Sequence, residues 1–149
     1  MKPFTPTYID KQVARAAAAL PAAGAWDAAP TAIFVGGADR LTLNFQYTRG
    51  GAAGAFDFEV LVSSLNPVVS WQQLTLYANG ALAAGVDTQS RVQREYITYQ
   101  ATGAGAEGFV YGSIDLGGST EWIMVAARES GNVGAPGALQ IDVSLDWED

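Results

Sequence analysis

Leu41, Leu43, Phe45 and Tyr47 fall on one side of an extended chain, and Arg40, Thr42, Asn44, Gln46 and Thr48 fall on the other. That alternation is the period of a half-buried strand. The last segment repeats it, with Leu139, Ile141, Val143, Leu145 and Trp147 alternating with Gln140, Asp142, Ser144, Asp146 and Glu148. A further stretch puts Phe56, Phe58, Val60 and Val62 on one face, with Asp57 and Glu59 opposite on the side expected to meet solvent. Gly-Gly, Asn-Pro, Asn-Gly and longer glycine-rich breaks divide the chain from Thr31 onward into about eight strands, over residues 31–35, 39–48, 55–63, 71–77, 92–101, 109–116, 121–128 and 138–147. Such breaks are turn chemistry. The pattern predicts an all-β chain folded as a single-domain jelly-roll-like or Greek-key β-sandwich.

The beginning of the chain reads differently. Residues 1–12 carry two prolines and no apolar period, which predicts an extended N-terminal arm, with the β-sandwich domain over 13–149. Gln12 to Leu20, with Ala16 through Ala19, has helix propensity and is stopped by Pro21. The same small residues also suit a strand packed tightly on a second sheet, so both readings stand at this level.

Composition narrows the function. A chain of 149 residues fits one domain, and folding at that size buries roughly two-thirds of the unfolded surface without a disulfide or metal staple. Hydrophobic residues make up 49% and charged residues 15%, against ~25% charged in ordinary soluble domains. A weakly charged surface suits a protein partner. The chain has no Cys and no His, which removes disulfides, thiol nucleophiles, imidazole triads and most zinc and haem sites. The net charge is −7 and Lys occurs only at positions 2 and 11, so no direct nucleic-acid contact is expected. No apolar run of membrane-spanning length and no signal-peptide core is present in this sequence, which predicts synthesis in the cytoplasm and no membrane partner.

Candidate chemistry is sparse. Gly103-Ala104-Gly105-Ala106-Glu107-Gly108 matches the dinucleotide fingerprint, but Phe109 to Ile114 after it read as strand rather than helix, so a hairpin loop is the better account. Acidic pairs such as Asp57 with Glu59 and Asp142 with Asp146 keep strands soluble and select no glycosidase dyad. Asp39 and Asp87 beside glycines are turn formers before they are calcium ligands. Trp26, Trp71, Trp122 and Trp147 are the rings available for a sugar platform, and core or interface packing is their commoner use. No enzyme, cofactor or metal site is expected. Charge placement says more: Lys2, Lys11 and Arg15 make one end basic, and Asp142, Asp146, Glu148 and Asp149 make the other acidic. A basic arm reaching a neighbour's acidic end would orient an assembly.

The run from Gly37 to Gly50, then Phe56-Asp57-Phe58-Glu59-Val60, Trp71 after Ser63-Ser64, and Ala127-Arg128-Glu129-Ser130-Gly131 before Pro136-Gly137 resembles small virion structural proteins of tailed bacteriophages, above all capsid decoration proteins. The resemblance implies a cement role: a homo-oligomer, often a trimer, on the virion's outer capsid surface, binding the major capsid protein, linking capsomers and made in the host cytoplasm. Phe4, Tyr8 and Ile9 are then the expected arm anchors, because apolar side chains in a polar extended segment need a place to bury. The rival readings are a carbohydrate-binding or host-recognition sandwich, which would group aromatic rings on one exposed face, and a tail or head-completion subunit.

Overall fold

Alternation along the chain becomes two sheets in the computed structural model, which describes residues 8–28, 30–63, 92–116 and 120–147. The first sheet holds β1 (Tyr8–Ala19), β8 (Ala138–Trp147), β3 (Arg40–Thr48) and β6 (Glu107–Asp115), in that order. The second holds β2 (Ala32–Phe34), β7 (Trp122–Glu129), β4 (Ala55–Ser63) and β5 (Val92–Gln100). All the pairings are antiparallel. The pairs β1–β8, β2–β7, β3–β6 and β4–β5 are nested, as in one long ribbon folded at its middle and wound into two layers. The protein is therefore an all-β sandwich.

The core lies between the layers. Leu41, Leu43, Phe45 and Tyr47 of β3 and Leu139, Ile141, Val143 and Leu145 of β8 face Phe56, Phe58 and Val60 of β4 and Ile123, Val125 and Ala127 of β7. Phe45 sits at the centre, with ring centroids 4.7 Å from Phe58 and 4.6 Å from a parallel Phe109. Interleaved rings exclude water on both inner faces and leave the outward positions to set function.

Several expectations resolve here. Of the segment 12–20, residues 12–19 are strand, not helix: β1 runs along β8, Gln12 opposite Val143 and Val13 opposite Asp142. Residues 8–12, expected in the arm, also belong to β1, Tyr8 opposite Trp147. Backbone pairing with β8 creates this strand, so side-chain alternation did not announce it. Ala14 and Leu20 are deeply buried, and Ala16 to Ala19 are exposed rather than packed on the second sheet. The strand expected over 71–77 lies outside the described residues. Residues 101–106 cross from β5 in one sheet to β6 in the other, so they form an arch and not a hairpin. The crossing is tied by the Glu107 carboxylate, which accepts from the Thr102 N–H at 3.0 Å and from its hydroxyl.

Candidate functional site

The ionisable side chains buried inside this sandwich are engaged with the chain itself. On β7 the inward positions run Ile123, Val125, Ala127, Glu129, so a carboxylate takes the fourth core place. Glu129 is 1% exposed. It accepts from the Tyr47 hydroxyl at 2.8 Å and from the backbone N–H groups of Ala55 (3.1 Å), Gly131 (3.1 Å), Asn132 (3.0 Å) and Gly137 (2.8 Å). Burial alone would push its pKa up, but these donors prevail and hold it below the ordinary glutamate value. Tyr47 moves the opposite way, raised first by burial and then by its hydrogen bond to Glu129 and that carboxylate's charge. This carboxylate fastens the 130–137 loop and the start of β4 to one end of the sandwich.

A second network lies on the outer side of the second sheet. Asp57, expected to meet solvent, is 4% exposed. Arg128, its neighbour on β7 in register, donates from Nε at 2.8 Å; Tyr96 and Thr98 on β5 donate from their hydroxyls at 2.9 and 2.7 Å. Burial opposes the Asp57 charge, and the donors, with Ser130, outweigh it and lower its pKa. The Arg128 guanidinium lies 4.5 Å over the Trp26 ring, and Trp26 meets Tyr96 edge-on at 6.0 Å. The loop carrying Trp26 is thereby pinned to the sheet. Phe34 and Trp122, opposite each other on β2 and β7, form a separate tilted pair at 5.2 Å.

A third network closes the β1 edge. Arg15 donates from Nε to Asp27 at 3.0 Å and from its terminal nitrogens to the carbonyls of Ala18, Ala19 and Leu139. Asp27 also accepts from the Ala127 N–H at 3.1 Å. The adjoining cleft, about 240 Å³, is lined chiefly by alanines, with Arg15 and Asp27 in its wall. No group of three acidic side chains able to hold a metal occurs among the described residues.

The outer face of the first sheet is a further surface that a partner could meet. Cross-strand registers arrange it in rows: Lys11, Ser144 and Thr42; Val13, Asp142, Asn44 and Val110; Gln140, Gln46 and Gly108. The side chains in these rows are mostly short and uncharged, and at its two lateral edges Val13 is 54% and Val110 66% exposed. Four strands ~4.8 Å apart and nine residues of ~3.4 Å give a face of roughly 600 Å².

The structure distributes the expected site residues unevenly. Phe4, Lys2, Glu148 and Asp149 lie outside the described residues, as do Trp71 and Asp87; of Tyr8 and Ile9 only the backbone is described. Lys11 stands opposite Ser144, so the basic and acidic ends run side by side within one chain. Arg15 turns instead to Asp27, while Asp146 pairs with Arg40 at 3.1 Å. Asp142 takes a central place on the outer face, and the Asp39 amide is bonded to the Asp146 carbonyl. Trp147 is half-buried, its indole N–H donating to Gly36. Sequence reasoning missed Glu129, Asp27 and the Trp26–Arg128 contact. Glu129 had a signal: a charge on the buried parity of an otherwise apolar strand, with Tyr47 on a buried parity needing a partner for its hydroxyl. Asp57 had none, since its parity is outward.

No family model and no curated protein matches the chain. Among solved structures, the SPBc2 prophage-derived protein YomS is similar over 96% of each chain, at 11% identity and a TM-score of 0.39, a level that carries no argument about role.

Proposed function

We propose that this chain is a structural virion protein that attaches to the outer surface of a phage capsid and links capsomers, and that its nested winding is that of a jelly roll. The observation that supports the reading is the outer face of the first sheet, where Thr42, Asn44, Gln46, Gln140 and Ser144 form a ladder of hydrogen-bonding groups beside Asp142, with the Arg40–Asp146 pair at one end. At roughly 600 Å² that face is smaller than the ~800 Å² per partner of a stable pairwise complex. A single contact through it is weak, and attachment gains its strength from several copies acting together. Asp57, Glu129 and the Arg15–Asp27 pair hold loops against sheets, a use that suits mechanical work rather than turnover.

Empty shells of the phage that encodes the protein, lacking it, provide the test. The wild-type chain should co-sediment with them, and Asn44→Arg with Gln46→Arg should remain folded and stay in the supernatant. A wild-type chain that ignores the shells overturns the reading. One observation favours the rival, recognition of a glycan: Trp26, Tyr96 and Arg128 share the outer side of the second sheet. Glycan binding that Trp26→Ala removes, together with indifference to shells, would move the assignment there.

A further inference from the structure

Sheet edges invite another strand, and proteins ordinarily blunt them. Among the described strands, three of the four sheet edges are blunted. β1 carries register shifts on either side of Arg15 as well as Lys11; β2 is three residues long; β5 carries Arg94 and Glu95. β6 differs. From Gly108 to Tyr111 it pairs regularly with β3, its only strand partner among the described residues, and carries no charge and no proline; its register shift falls beyond that stretch, at Gly112–Ser113.

The middle of that strand reads Gly108-Phe109-Val110-Tyr111-Gly112, a palindrome in residue type centred on Val110, one of the exposed large hydrophobics at 66%. An antiparallel two-fold pairing centred there sets Val110 against its own copy and Phe109 against Tyr111, all within the regular part of the strand, with Gly108 and the bulged Gly112 at its margins. Self-complementarity of this kind is what an isologous contact requires. Two further features fit. Phe109 and Tyr111 are only partly buried against the core, and Phe109 stacks at 4.0 Å on Tyr99 of β5 along the seam between the two sheets, so an added strand would cover their exposed flanks. A Cβ built on Gly108 meets only the Phe45 carbonyl oxygen, at 3.6 Å. That is ordinary contact, so this chain's own packing does not demand glycine there, whereas an approaching strand gains from its absence of a side chain.

We propose that β6 is a homodimerisation edge, pairing antiparallel with β6 of a second copy about a two-fold axis at Val110 and joining two four-stranded sheets into one of eight strands. The proposal stands apart from the virion reading, because it concerns the purified protein alone. A chain without cysteine offers a clean test. Val110→Cys under mild oxidation should give a disulfide-linked dimer of twice the chain mass, since Cβ atoms of directly opposed residues lie ~4.5–5.5 Å apart. Val13→Cys, on the opposite edge of the same sheet, should stay uncrosslinked at the same concentration. By light scattering the wild type should approach the dimer mass with rising concentration, and Val110→Lys, at an exposed position and folded by circular dichroism, should remain monomeric. A wild type that is monomeric throughout, crosslinking no greater at position 110 than at 13, or a Val110→Lys protein that still dimerises would each overturn it.

Discussion

Glu129 shows how one residue can organise an end of a fold. Its carboxylate gathers a tyrosine hydroxyl and four backbone N–H groups, three from the 130–137 loop and one from the start of β4, and with the side chain gone those donors would be buried without partners, at about 1–3 kcal/mol each before relaxation. Glu129→Ala should therefore destabilise the protein by about 4 kcal/mol in denaturant titration, at the upper end of single substitutions; a loss below about 1 kcal/mol would refute the role. The pH dependence carries the same signature. Glu129 and Asp57 both titrate below their ordinary values, so their stabilisation is complete above the unfolded-state values of ~3.9–4.3 and is lost as pH falls through the lower folded ones. Unfolding free energy should decline below about pH 4, and Glu129→Gln, less stable throughout, should decline less steeply. An unchanged slope in that variant would contradict the assignment.

At the scale of elements, close approach decides which loops are possible. A Cβ on Gly137 would lie 2.5 Å from the Tyr47 ring and 2.6 Å from the Thr48 carbonyl oxygen, both fixed by β3. Gly137→Ala should cost about 3 kcal/mol, within the range for overpacking a core, read as a lowered denaturant midpoint; wild-type stability would show that β3 yields. Legibility followed the same division. Strands with an apolar face against the core, β3, β4 and β8, were readable to within a residue or so because burial imposes the period. β1 was not, since its outer residues are exposed alanines and what makes it a strand is pairing with β8. The outer networks were least legible: Asp57, Arg128 and Trp26 meet only through registers and a loop that no local pattern encodes.

For the whole molecule, the pairing of β1 with β8 alters what an N-terminal truncation means. Removing residues 1–7 leaves β1 intact and should keep the melting temperature within about 2 °C while weakening attachment to shells, if Phe4 anchors there. Removing residues 1–12 strips Tyr8–Gln12 from the backbone of Val143–Trp147 and should lower the melting temperature by roughly 5 °C or more, the scale set by about 1.5 kcal/mol in a domain of this size. Equal stability of the two truncations would show that the first half of β1 adds nothing. The nested order also bears on synthesis. β8 lies between β1 and β3, so the first sheet has no centre until the final strand has left the ribosome. The second sheet has all four of its strands by Glu129, and the part of its apolar inner side that faces β8 stays uncovered until that strand is made, a delay that long-range pairing lengthens and that makes the nascent chain a natural client for chaperones.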